Sequence, residues 1–308
     1  MNQLLEFQIY DWMEDHEKPM NNFVLGNYII HIFGRTMDDH SVYAKVKGFQ
    51  PYFYIELPED WKEDYIEPNL EIIKEELTSS KNNKIWKKIK TSFVSITHVK
   101  NKKAEGFTND KIFNFAKLTF SNSEGMKKFR TYIEDNDIEV NNMYRFKTFE
   151  ANILPMFRYF HINKISGCGW VKSTNYTLID TIDMKESHCD IEINVNCESL
   201  ISITKDTNAP FRIASFDGEM FSHDGQFPQA HRKKDAIIQL GITYTKLGSS
   251  EPYRQYIGCL KETDPFDDIT IIRSFNTETE LVLDFKNELI ESDCDIITGY
   301  NIFFFDEK

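Results

Sequence analysis

The chain has 308 residues, enough for two domains that each bury a core, and its ordinary globular composition is rich in Phe and Tyr. A net charge of −13 argues against a protein that simply coats DNA through Lys and Arg, but not against an enzyme that holds a phosphodiester through divalent cations. No apolar run approaches the roughly 18 residues of a membrane helix, no basic region leads into an apolar stretch at the N-terminus, and five scattered cysteines (Cys168, Cys189, Cys197, Cys259, Cys294) form no CxxC pair. These absences point away from a membrane, a secreted protein, a zinc site and a disulfide framework, and towards a reducing compartment, cytoplasm or nucleus.

Aromatic and β-branched runs at 7–13, 27–36 and 41–58 predict strands, and the apolar residues on both faces of 28–33 predict a strand covered on both sides or a small barrel. From Pro58 the chain turns acidic, and after Pro68 the spacing of Leu70, Ile73 and Leu77 predicts a helix. The stretch 81–103 carries eight lysines and no acid. It reads first as a solvated face packed against its acidic neighbour, and second as a nucleic-acid contact in which Trp86 and Phe93 could stack on bases. Residues 113–122 predict a strand and 121–136 a helix capped by Ser121 or Ser123, with Glu124 in its first turn. A short helix, a Gly-rich turn and a strand start come next over 153–173, then a strand region at 189–203.

The polar link "TKDTNAP" (204–210) marks the expected domain boundary. Beyond it come a strand at 211–220, a loop of fifteen residues (221–235), strands at 236–247 and 252–260, an amphipathic helix at 278–293 and a strand at 295–306. The helix sets Leu281, Phe285, Leu289 and Glu288 on successive turns. This order predicts a mixed α/β sheet.

"SFDGEM" (215–220) places Asp217 and Glu219 two residues apart, hence on one face of a strand. Two adjacent carboxylates resist joint ionisation unless a cation lies between them. Alone, the pattern reads more readily as two solvated acids on an edge strand. His223 and His231, in the next loop, could serve as general bases, although polar-loop histidines are usually just solvated.

The surrounding motifs decide between these readings. "APFRIASFDGEM" (209–220), "KKDAIIQLG" (233–241) and "DIITGYNIFFFD" (295–306) resemble, in order and interval, the start of the proofreading exonuclease of family B DNA polymerases. Upstream, 27–58 and 149–171 resemble the N-terminal domain of the delta-like branch, in the form found in large DNA viruses of eukaryotes. The resemblance implies an α/β protein in two parts. Residues 1–206 would be an α+β N-terminal domain with OB-like and RNA-recognition-like parts, and 207–308 the first part of an RNase H-like, mixed-sheet 3′–5′ exonuclease domain. It further implies that Asp217, Glu219 and Asp306 are catalytic carboxylates holding two divalent metals, Mg²⁺ or Mn²⁺, about 3.5–4 Å apart. Asn301 and Phe305 would hold the frayed single-stranded 3′ end. The implied partners are DNA, as 3′ end and primer-template, and a sliding clamp or other replication factors, at a viral replication site in the host cytoplasm or nucleus.

Two departures stand out. Gly218 occupies the middle of the first motif, where the family usually has an apolar residue, and could mark a bulge or a close backbone approach. The sequence also stops two residues after Asp306, before the third exonuclease motif and the polymerase core. The expectation is therefore an N-terminal piece of a polymerase, inactive by itself. A non-catalytic nucleic-acid-binding module and a self-contained RNase H-like nuclease are the alternatives.

Overall fold

The computed structural model describes residues 3–19, 21–79, 84–103, 105–265 and 267–302. Strands Leu5–His16, Tyr28–Arg35 and Ser41–Lys47 pair antiparallel and seed the first sheet. Its seven strands run in the order Tyr176–Leu178, Ile191–Asn196, Ser41–Lys47, Tyr28–Arg35, Leu5–His16, Trp170–Ser173, Ile201–Ile203. Ile191–Asn196 lies parallel to Ser41–Lys47. As the two-faced pattern predicts, Tyr28, Ile30 and Ile32 enter a core with Phe7, Ile9, Val42 and Val171, while Ile29 and His31 are covered on the other face.

A four-stranded sheet, ordered Phe93–Lys102, Ile112–Phe120, Tyr52–Glu56, Thr148–Phe149, forms a second layer. Helices Glu63–Thr78 and Ser123–Asp135 bury Ile66, Leu70, Ile73, Leu77 and Phe129 against Phe53, Ile55, Leu118 and Phe120. Two local expectations are corrected. The first helix begins at Glu63 and runs through Pro68. That proline forfeits only one bond, to the carbonyl of Asp64 in the first turn, and burial of Ile66 on the core holds the turn in place. The cap of the second helix is Asn122, whose Oδ1 accepts from the amides of Glu124 (2.8 Å) and Gly125 (3.2 Å), rather than either serine.

The third sheet runs Thr270–Phe275, Arg254–Leu260, Ala236–Lys246, Arg212–Phe221, Ile296–Thr298. Its outer strands are parallel to their neighbours and its inner pairs antiparallel, so the mixed α/β sheet is as predicted. Helix Glu278–Ser292, opened by a capping box of Thr277 and Glu280, covers one face. Phe285 and Leu289 pack on Ala214, Phe216, Ile242 and Tyr244. Leu281 sits over Gly258, where a Cβ would come within 2.6 Å of its Cδ1. Glu288 is fully buried on the same helix face and is balanced by Arg254 (2.5 Å) and Arg273 (3.5 Å). Thr270–Phe275 has no counterpart among the strands expected from the sequence, and of the strand expected over 295–306 only Ile296–Thr298 forms among the described residues.

The link between the first and third sheets is fastened down. Ala209 N donates to Gln8 Oε1 (2.7 Å), Trp170 Nε1 to the carbonyl of Thr207 (2.8 Å), and Phe211 meets Tyr10 edge-on. Beside it lies a charge network. Arg35, with no exposed surface, bonds Asp295 (2.5 Å), Asp39 (3.0 Å) and Asp293 (3.1 Å). Arg212 (3.1 Å) and Lys246 (2.8 Å) also reach Asp39. Partial burial works against the charge on Asp39, but hydrogen bonds from Arg212 and Lys246 outweigh it and push its pKa down to about 2. The stability it contributes is therefore complete above its ordinary value of 3.8 and lost as pH falls through about 2. Asp39→Asn is expected to cost about 2 kcal/mol at neutral pH and to flatten the acid limb of stability below about pH 5, as read from urea denaturation across pH.

Candidate active site

Strand Arg212–Phe221 alternates cleanly past its midpoint. Ala214 and Phe216 are buried under the helix, while Ser215, Asp217 and Glu219 are exposed on the opposite face. The same-face placement of the two acids predicted from their spacing is thus realised. Antiparallel pairing sets Gly241 opposite Asp217 and Gln239 opposite Glu219. Because Gly241 has no side chain, the Asp217 carboxylate has open space beside it. Asp217 Oδ1 accepts from the Gly218 amide (3.1 Å). Neither acid has a cationic partner among the described residues. The pair is a set of hard oxygen donors left free for a hard cation.

Gly218 keeps regular pairing opposite Leu240, with no positive φ. The irregularity comes one residue later and on the partner strand. Glu219 faces Gln239 and Met220 faces Ile237, which leaves Ile238 as the extra residue. A bulge increases local twist and re-aims neighbouring side chains, so it acts at Glu219 rather than at Gly218.

Strand Ile296–Thr298 lies parallel to the first-motif strand, with Ser215 beside Thr298. The chain leaves the sheet at Gly299 and turns. Gly299 is forced there by contact, since a Cβ would lie 2.5 Å from the Phe216 carbonyl oxygen and against Ile302 Cγ2. Ile302 is buried with Phe216 and Ala214, which anchors the second motif from below. Asn301 is exposed and left-handed, with φ 56°. Phe305 and Asp306 lie outside the described residues. Among the described residues, no group of three or more His, Cys, Asp or Glu is placed to hold a metal ion.

The loop after the first motif is organised by two acids. Asp235 takes His223 Nδ1 (2.7 Å) and the Gln229 amide (3.0 Å), and the His223 bond holds its carboxyl below the usual range. Asp224 accepts from the Gln226 amide (3.0 Å) and the Ser222 hydroxyl (2.9 Å), and pairs with Arg232. His223 is thereby tied to Asp235 as a loop brace, and His231 is simply exposed.

Trp86 and Phe93 of the lysine stretch do not face solvent as stacking platforms. Trp86 packs on Phe129 and Tyr132 at ring distances of 4.9 and 5.1 Å, and Phe93 on Phe120 and Phe129 at 5.7 and 5.6 Å. Lys100 pairs with Glu63, Lys102 with Asp110 and Lys103 with Glu56. These three lysines, at the end of the stretch, meet acids on other elements, as the first of its two sequence readings expects for them.

Comparison with known proteins now fits this geometry. Residues 146–308, just over half of the chain, match the family described as DNA polymerase family B, exonuclease domain. The DNA polymerase of Acanthamoeba polyphaga mimivirus is 35% identical across 98% of this chain, which spans 18% of that protein. The DNA polymerase delta catalytic subunit of Dictyostelium discoideum is 31% identical over 90% of the chain and 25% of its own length. For the DNA polymerase of Paramecium bursaria Chlorella virus NY2A the figures are 27%, 98% and 30%. The solved family B DNA polymerase from the hyperthermophilic archaeon Pyrobaculum calidifontis superimposes with a TM-score of 0.60 at 16% identity, over 98% of this chain and 31% of that one, a likeness of fold. The chain belongs to family B of the DNA polymerases, through their exonuclease domain. It spans less than a third of the length of each of these relatives.

Gly299→Ala is expected to cost about 1–3 kcal/mol, because a backbone carbonyl cannot yield to the new methyl as a flexible side chain would. Equilibrium denaturation in urea reads that loss.

Proposed function

We propose that this chain is the N-terminal part of a replicative DNA-directed DNA polymerase that also proofreads by 3′–5′ phosphodiester hydrolysis. Residues 1–206 serve as its N-terminal domain and 207–308 as the first part of its exonuclease. The observation that carries this reading is the exposed couple Asp217 and Glu219, without a cationic partner among the described residues, on the strand that pairs in parallel with Ile296–Thr298, which leads into the second motif. Family membership supports it, as does the share of each relative that the chain spans.

Exonuclease domains of this family are metal-dependent in general. Asp217, Glu219 and Asp306 would hold Mg²⁺ or Mn²⁺, since oxygen donors suit these ions, and the ions supply an activated water and neutralise charge on the phosphate. The chain's own residues do the rest. The open sheet face admits a frayed DNA end, the Asn301 amide can bond to that strand, and the Phe305 ring can pack on base or sugar. DNA is then the substrate, with a sliding clamp and other replication factors as partners, at the replication site within the host cell.

The test is degradation of labelled single-stranded DNA from its 3′ end in Mg²⁺ or Mn²⁺. It compares this chain, a longer form reaching through a third exonuclease motif, and the longer form with Asp217→Ala and Glu219→Ala. Only the unsubstituted longer form is expected to degrade DNA. Cleavage that survives loss of both acids would remove the nuclease assignment, and cleavage by the 308-residue chain itself would favour a self-contained nuclease.

A further inference from the structure

We infer that Arg35, in the first sheet, is a positioning residue for the exonuclease site, acting through Asp295 on the pairing of the two strands that carry its motifs. The inference rests on the nuclease reading of Asp217 and Glu219.

Asp295 stands at the junction of those strands. Its side chain is 1% exposed, and one oxygen, Oδ2, accepts from both Arg35 Nε (2.5 Å) and the backbone amide of Arg212 (2.8 Å). Its own amide donates to the Arg212 carbonyl (2.8 Å). Residues 212 and 295 are thus clipped together one step before Ile213 pairs with Ile296. The short strand beyond Asp295 needs such a clip. Strand Ile296–Thr298 has three residues, and all are exposed, with Ile296 at 37% and Ile297 at 51%. An edge strand that buries so little of its own surface does not choose its register by packing. A slip of one residue would carry Asn301 about 3.3 Å along the first-motif strand.

Arg35 controls the clip because it leaves the Asp295 carboxylate paired in a place closed to water. Its guanidinium also reaches the carbonyl of Asp293 from Nη2 (2.9 Å), at the left-handed end of helix Glu278–Ser292. It reaches Asp39 from Nη1 (3.0 Å). The guanidinium spreads its donors over a rigid planar fork and so reaches three groups lying in different directions, whereas the three donors of an ammonium radiate from a single nitrogen. Arg35 itself is fixed between Gln8 and Ser41 at the end of a central strand of the first sheet. The first sheet therefore sets where the second motif begins.

The test uses the full polymerase chain that carries this segment. Arg35→Gln should lower the turnover of 3′–5′ hydrolysis on single-stranded DNA by roughly 10²-fold, with KM and nucleotide addition retained. Hydrogen–deuterium exchange should accelerate at Arg212 and Ile296–Thr298 and stay unchanged along the inner strand Ala236–Lys246. Arg35→Lys keeps the charge but not the fork, so turnover should stay depressed in it as well. Asp39→Asn weakens the same network without touching Asp295, and should lower stability while sparing turnover. Unchanged turnover in Arg35→Gln, full turnover in Arg35→Lys, or an equal loss in Asp39→Asn would overturn the inference. The Asp217→Ala and Glu219→Ala variants keep the two ideas separate. Hydrolysis that survives in them defeats the nuclease reading, whereas their inactivity beside a fully active Arg35→Gln defeats only the positioning role.

Discussion

A guanidinium with no exposed surface has to be met by anions, and at Arg35 three aspartates from two distant stretches of chain meet it. Moving a cation out of water costs several kcal/mol, so each element that contributes a partner is held to the others by the penalty of leaving that charge bare. Burial opposes the charge on Arg35, but its bonds to Asp295 and Asp293 outweigh this and hold its pKa above the ordinary value. Arg212 and Lys246 share Asp39 with it, so the network spans the first sheet, two strands of the third and the end of the helix that covers the third. The pinned link at Thr207–Phe211 runs alongside. Together they make the expected domain boundary a fastened seam.

The third sheet divides its labour between its faces. One face is sealed by helix Glu278–Ser292 and carries Ala214, Phe216, Ile242 and Tyr244. The other carries Ser215, Asp217 and Glu219 into solvent. Packing of the opposite face holds the strand that carries these two carboxylates, which have no cationic partner among the described residues. Small residues bring the parts close: Gly241 leaves the flank of Asp217 open, and Gly299 lets the second motif press on the backbone at Phe216.

The lysine-rich stretch shows why charge runs need their surroundings. Its aromatic residues complete the core of the four-stranded sheet, where Phe120 and Phe129 receive Trp86 and Phe93. Its distal lysines reach acids on other elements, Glu63 among them, from the acidic segment just upstream. Ion pairs this exposed contribute little stability, but they neutralise the face locally.

Local patterning made much of this legible. An aromatic and β-branched run apolar on both faces located Tyr28–Arg35, helical spacing located Leu70, Ile73 and Leu77, and the D-x-E spacing of Asp217 and Glu219 put both acids on one face whatever their tertiary contacts. Three ordered motifs were enough to indicate the family, because the order and interval of short motifs are properties of the chain itself. Pairing was not legible. The bulge at Ile238, the parallel edge strand Thr270–Phe275 and the register of Ile296 against Ile213 depend on which strands meet. The union of Arg35 with Asp295, 260 residues away, leaves no local trace in either segment. A local rule reads the face on which a side chain stands. What stands opposite it is decided by burial and charge pairing across the folded chain, and only the tertiary structure could supply that.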